Sequence, residues 1–365
     1  MGGWYWAAAR RQIRAIRYWY MEHAQKLLLR AVTASAWTVH NSTFSWLPFE
    51  HGEVGSEVLD HRYVQIVGGS TGREMVEPVT LCRSTQVCEA ARRATNDTSP
   101  KRPHAWDVDV SNGWQRTEVG CNASIGSGCA DCWACCQSAC RGAHTPLRTF
   151  AAVSRGWADY IYHQQSRGRT VGFSWKPEWQ TAADEALLSS RLCAGSSAGV
   201  ARIWALGAPD LLYVTKGLHD ACVLNISIAE IQSRIQRFAR SLSCLPSSTI
   251  IVVRTPYFHP ADSSAARTVC HYPIDEVGRR IRAVRDEIWR LHREQAAFGA
   301  SALVLDAYAL TMAAERTGRS GVAAARALKS IDGHHYPITV RDVERKLLSF
   351  AMALALNASS RRPSR

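Results

Sequence analysis

The sequence predicts an α/β protein, a three-layer α/β/α sandwich built on a five-stranded parallel sheet and interrupted by one cysteine-rich insertion. Three observations carry this. Short β-branched runs alternate with longer stretches of helical period, the pattern of a parallel sheet covered on both faces. The 365 residues are 46% hydrophobic and 21% charged, enough for a large core and too apolar for a disordered chain. No run of about 18 uninterrupted apolar residues occurs, so no membrane-spanning helix is expected.

The five runs are Tyr63 to Val67, Thr170 to Ser174, Leu211 to Thr215, Thr249 to Arg254 and Ala302 to Asp306, each bounded by turn residues. Between and after them lie the helices. Ile228, Ile231, Ile235, Phe238 and Leu242 share one face, opened by the capping box Ser227-x-x-Glu230. Ile274, Val277, Ile281, Val284, Ile288 and Leu291 form a second stripe, with Arg279, Arg280, Arg282 and Arg285 mostly off it. A third helix is expected from the capping box Thr339-x-x-Asp342, burying Val343, Leu347, Phe350 and Leu354.

The chain divides into a basic N-terminal segment over 1–45, a domain over 46–358 and a basic tail over 359–365. The stretch from about 82 to 144, rich in Cys, Gly, Asn and Ser, breaks the alternation as an insertion. Within it, Cys129, Cys132, Cys135, Cys136 and Cys140 permit a disulfide knot, a zinc site or an iron–sulfur cluster. The spacing after Cys135 is one residue too long for the ferredoxin signature, and the adjacent pair Cys135-Cys136 favours disulfides.

Twelve cysteines, an even number, are many for a cytosolic enzyme. Five of six asparagines, Asn41, Asn96, Asn122, Asn225 and Asn357, stand in N-x-S/T sequons. Both features predict a glycosylated, disulfide-bonded protein of the secretory pathway or the cell exterior. The Arg-rich, acid-poor start is the dissenting feature. It suits an organelle transit peptide, or a chain whose membrane anchor is missing. The net charge of +13 permits an anionic partner, but no groove-reading motif is present, and nucleic acid is not expected.

Three strand ends carry chemistry. The first runs into Gly68-Gly69-Ser70-Thr71-Gly72-Arg73, where a glycine-flanked serine suits a nucleophile, a phosphate site or a plain turn. The third ends in Lys216-Gly217-Leu218-His219-Asp220. After the fifth comes Asp332-Gly333-His334-His335-Tyr336-Pro337, where a carboxylate three residues before an imidazole can fix its tautomer. Trp175 and Trp179 suit either core packing or a sugar-stacking platform.

These blocks, in this order, resemble the SGNH hydrolase superfamily. Within it they are most similar to the PC-esterase, trichome-birefringence-like and NXPE-like branch. Arg73, three residues after Ser70, occupies that branch's arginine position, and Phe173-Ser174-Trp175-Lys176-Pro177 and Asp332-Gly333-x-His335-Tyr336-Pro337 look like two further blocks. The resemblance spans roughly 60–355. It departs at Gly69, where the family has Asp, and at His219, where many members have an oxyanion-binding Asn.

The resemblance implies catalysis by Ser70, His335 and Asp332. Gly69, Arg73, Gly217, His219 and Asp220 would form the oxyanion and substrate site. The implied partners are an O-acylated, chiefly O-acetylated, glycan and an acyl donor, with esterase and transferase outcomes open. No cofactor and no metal are assigned to the site. The rival reading is an inactive, glycan-binding or structural member.

Overall fold

The computed structural model describes residues 20–32, 37–40, 43–46, 56–72, 75, 117–118, 147–154, 157–164, 169–179, 208–260, 270–294, 298, 302–320, 328–330 and 333–360. The strands are β1 (Trp37–His40), β2 (Thr43–Trp46), β3 (Tyr63–Gly68), β4 (Thr117–Glu118), β5 (Leu147–Ser154), β6 (Trp157–Gln164), β7 (Arg169–Trp175), β8 (Leu211–Thr215), β9 (Ile250–Arg254) and β10 (Ala302–Leu305). The helices are α1 (20–32), α2 (Leu218–Cys222), α3 (Ile228–Ser241), α4 (Ile274–Arg293), α5 (Ala307–Gly318) and α6 (Ile338–Ser360).

β1 and β2 pair as a hairpin. The remaining strands form one sheet in the order β10-β9-β8-β3-β7-β6-β5-β4. The five expected strands are its parallel part, β10 through β7. Alternate side chains feed two cores. Tyr213, Val252 and Leu303 pack with α1, α5 and α6 on one face, while Leu212, Val214, Ile251 and Val253 pack with α3 and α4 on the other. That is the α/β/α sandwich.

The sheet is wider than the five-stranded reading. β6, β5 and β4 continue it antiparallel beyond β7. Ser154 pairs with Trp157, leaving the two residues Arg155-Gly156 between the paired ends, and Trp157 to Gln164 is rich in aromatics. A two-residue, Gly-containing connection between such runs is a hairpin signal in its own right. Apart from β4, the insertion over 82–144, with the cysteine cluster, lies outside the described residues.

At the other edge, the basic N-terminal segment is not an appendage throughout. Met21, Ala24, Leu28 and Val32 of α1 are buried in the core. Gln25 covers the edge strand: its Nε2 donates to the Val304 carbonyl at 2.9 Å and its Oε1 accepts from the Val304 N–H at 2.7 Å. One side-chain amide thus satisfies backbone groups that an exposed edge would present to another chain.

The helix starts follow local chemistry, with one correction. Ser227 caps α3, its Oγ accepting from Glu230 N–H at 3.1 Å. The box is half used, since Glu230 turns to Arg234 and Arg237. For α6 the box expected at Thr339 and Asp342 does not form. Pro337 opens the helix instead, its carbonyl accepting from Val340 and Arg341, and Asp342 pairs with Arg345 at 2.9 Å. The arginines of α4 are also not all solvated. Arg280 is buried, donates to the carbonyls of Asp220, Ala221, Leu224 and Ile226, and lies over the Tyr272 ring.

Cys222 at the end of α2 is disulfide-bonded to Cys270 ahead of α4, and Cys244 is also disulfide-bonded. Such bonds are compatible with a secreted or lumenal protein. Among the described residues no helix is long and apolar enough to cross a membrane.

Candidate active site

In open α/β sheets ligands bind beyond the carboxyl ends of the strands, where the winding direction reverses. Here that point is fixed by β3. The chain leaves β3 for β7 on one side and then crosses to β8 on the other, so β3 and β8 flank the reversal. Gly68, the last residue of β3, pairs with Thr215 of β8 and Trp175 of β7. The residues that follow these three strand ends therefore converge.

Ser70 follows β3 directly. The backbone turns helical at 70–72, with Gly72 N–H donating to the Gly69 carbonyl at 3.0 Å. Position 69 is closely packed: a Cβ there would stand 2.8 Å from Pro177 Cβ. The segment after β7 therefore lies against the serine turn, and Lys176 N–H donates to Gly68 at 2.9 Å. Arg73 lies outside the described residues.

The turn ahead of α6 brings a histidine to the serine. His335 Nε2 lies 2.8 Å from Ser70 Oγ, across 265 residues of sequence. Both residues are half-buried, so the pair is reachable from solvent. Its neighbour His334 is buried, stacked on His259 with ring centroids 5.7 Å apart. Ser330 braces the turn, accepting from Gly333 N–H at 2.8 Å and donating to the His335 carbonyl at 3.1 Å. Gly333 adopts φ 97°, a region that favours glycine. Asp332 lies outside the described residues.

On the β8 side, Gly217 has φ 108°, and a Cβ there would come within 2.8 Å of both Trp179 Nε1 and Val284 Cγ1. This glycine lets α2 start at once and sets His219 at the strand end. His219 is half-buried, with Nδ1 3.6 Å from Glu178 Oε1. Burial alone would raise the Glu178 carboxyl. The adjoining His219, with Lys176, outweighs that and holds it below its ordinary value. Glu178 was not singled out by sequence, because nothing local marks a carboxylate whose partner lies 41 residues away.

Asp220 is a correction. The residue is fully buried, and its carboxylate accepts from Trp179 N–H at 2.8 Å and faces Arg234 at 3.5 Å. It ties the segment after β7 to α2. Trp179 is buried too, edge-on to Phe238, so it is core and not a sugar platform. The Trp175 side chain lies outside the described residues.

Burial raises the Asp220 carboxyl from 3.8 to about 6, against the Trp179 hydrogen bond and Arg234. The folded protein thus keeps a proton that the unfolded chain releases. Stability is fully present below 3.8, is lost as pH rises, and levels off above about 6. Asp220→Asn is expected to gain on wild type across that window in urea unfolding, and a pH-independent difference would contradict it.

Of the asparagines in sequons, Asn225 and Asn357 are exposed, while Asn41, Asn96 and Asn122 lie outside the described residues. Among the described residues no cluster of three or more His, Cys, Asp or Glu could hold a metal ion.

No protein-family model matches the sequence, and no curated protein does. Among solved structures, a peptidoglycan O-acetylesterase is similar over 84% of this chain and 94% of its own, at 12% identity and TM-score 0.34. A likeness at that level adds nothing to the reading of the site, which rests on the geometry above.

Proposed function

We propose that this protein is a serine acyl-transfer enzyme acting on O-acyl groups, chiefly O-acetyl groups, of glycans in a secretory compartment. The observation that carries the reading is the 2.8 Å approach of His335 Nε2 to Ser70 Oγ at the carboxyl ends of the parallel strands. A half-buried serine hydroxyl bonded to an imidazole nitrogen is an activated nucleophile. The disulfides and the exposed sequon asparagines support the compartment.

Ser70 Oγ attacks the acyl carbonyl carbon as its proton passes to His335 Nε2. Asp332, by its spacing, accepts from Nδ1–H and steadies the imidazolium. The Ser70 N–H and the Gly217–His219 turn hold the oxyanion, each donor being worth about 3–4 kcal/mol. The tetrahedral adduct collapses, the sugar oxygen leaves with the proton from His335, and the acyl group stays on Ser70. Water or a second sugar hydroxyl then gives its proton to His335 and attacks the acyl-serine. Release regenerates Ser70 and yields a carboxylic acid or a new ester.

An O-acetylated oligosaccharide is the direct test. Loss of its acetyl group, absent with Ser70→Ala, is expected, either as free acetate or as acetate carried onto an added unacetylated sugar. Folded protein that moves no acetyl group from any such glycan would instead leave an inactive glycan-binding protein.

A further inference from the structure

The end of β9 and the residues after it were not assigned to the site by sequence, yet they reach the serine turn, the histidine turn and Gly217. Residues 254–259, Arg254-Thr255-Pro256-Tyr257-Phe258-His259, form a strap across the carboxyl end of the sheet. It is anchored on neighbouring elements. Thr255 N–H donates to the Leu305 carbonyl at 3.0 Å, Thr255 Oγ1 donates to Asp306 at 3.0 Å, and Phe258 N–H donates to Thr311 Oγ1 at 2.9 Å. These bonds fix the strap to the end of β10 and to α5, both rigid elements.

From that anchorage it holds both halves of the serine–histidine pair. Arg254 Nη2 donates to Oγ1 of Thr71, the residue after Ser70, at 2.6 Å. Both partners are buried, so the bond is not diluted by water. At the other end, His259 Nδ1 stands 2.7 Å from the Gly333 carbonyl. A carbonyl oxygen only accepts, so this nitrogen carries the proton. The His259 ring stacks on His334, whose ring meets that of His335 at 5.4 Å and 65°. Between the two ends, Tyr336 donates to the Phe258 carbonyl at 2.9 Å, and Tyr257 and Tyr336 pack edge to face at 5.3 Å. Pro256 Cγ backs Gly217, 3.3 Å from where a Cβ would be.

We propose that Arg254 and His259 are positioning residues that set the Ser70–His335 geometry, Arg254 through Thr71 and His259 through Gly333. The inference rests on Ser70 and His335 being the reacting pair. Neither residue need touch substrate. Their effect passes through the placement of two turns on separate parts of the chain, and misplacing a reacting group by about 1 Å costs on the order of 100-fold in rate.

The test is the second-order rate at which a fluorophosphonate labels Ser70 in the full-length protein, with thermal unfolding measured on the same samples. His259→Phe keeps the ring and the stack but loses the Nδ1–H; His259→Asn restores a donor near that position. Thr71→Val keeps the shape and loses the acceptor; Thr71→Ser restores it. His259→Phe and Thr71→Val are expected to slow labelling roughly 10- to 100-fold per folded molecule. The two restoring variants are expected to return most of the rate. With an ester substrate the loss should fall on kcat, not KM.

Wild-type rates in the Phe and Val variants would overturn the proposal, as would a lowered melting temperature with an unchanged rate per folded molecule. If wild-type protein itself takes no label at Ser70, the serine–histidine reading fails and this inference with it. If His259→Phe does not fold, the Thr71 pair decides.

Discussion

His335→Ala is expected to lower kcat/KM for ester cleavage by about 10⁴-fold or more, with KM little changed. Ser70 Oγ has only a weak tendency to lose its proton, and attack on a carbonyl carbon requires that proton to leave as the bond forms. His335 Nε2, at 2.8 Å, is in hydrogen-bond reach to take it. Without the imidazole, the oxyanion donors still act but meet no nucleophile. Ser70→Ala should therefore cost about as much, and the double variant little more, because two groups that perform one step cannot be lost twice. Additive losses would show the residues acting in separate steps and would contradict the pairing.

Glu344→Ala carries the largest expected effect on stability, a loss of about 3–5 kcal/mol in urea unfolding at pH 7. Glu344 projects from α6 into the core and is fully buried. One carboxylate there serves three partners. Arg254 Nη1 donates to it at 3.2 Å, and the hydroxyls of Tyr213 and Tyr257 both donate to it. Truncation leaves a buried guanidinium without its counter-charge and two buried hydroxyls without their acceptor. In the wild type burial first, and the Glu344 charge second, push the Tyr213 hydroxyl well above its ordinary value, so it stays protonated as a donor to Glu344. Glu344→Gln retains an acceptor and the shape and should cost less. Equal losses for the two variants would show that volume, not charge, matters at this position.

The parallel sheet was legible because each of its strands is written locally. A run such as Ile250-Ile251-Val252-Val253 is apolar on both faces only if both faces are covered. Ser70 and the turn bearing His335 were legible for the same reason, being short Gly-bounded blocks at strand or helix ends. Between the adjacent His334 and His335, the spacing from Asp332 pointed to His335. In the structure one imidazole meets Ser70 and the other is buried against His259.

What escaped the sequence is long-range. Arg254 and Thr71 stand 183 residues apart, and Tyr213 and Glu344 131 apart. Nothing around Arg254 says where its guanidinium goes, although a charge closing a wholly buried strand already requires a partner. Asp220 was misread because an aspartate after a strand end looks the same whether it faces solvent or caps a buried N–H. Helix α1 was hidden by arginines: its apolar stripe is narrow, and a basic start resembles a targeting segment. The antiparallel hairpin of β5 and β6 was written locally, but the cysteine-rich stretch before it drew the alternation to an early close.

The central claim is that Ser70 is a nucleophile activated by His335. The most direct measurement is to treat the purified protein with a fluorophosphonate and locate the adduct by peptide mass spectrometry, with His335→Ala alongside. The account predicts a phosphonyl adduct on Ser70 in the wild type and none in the variant. An adduct elsewhere, or one on Ser70 that forms equally fast without His335, would contradict it.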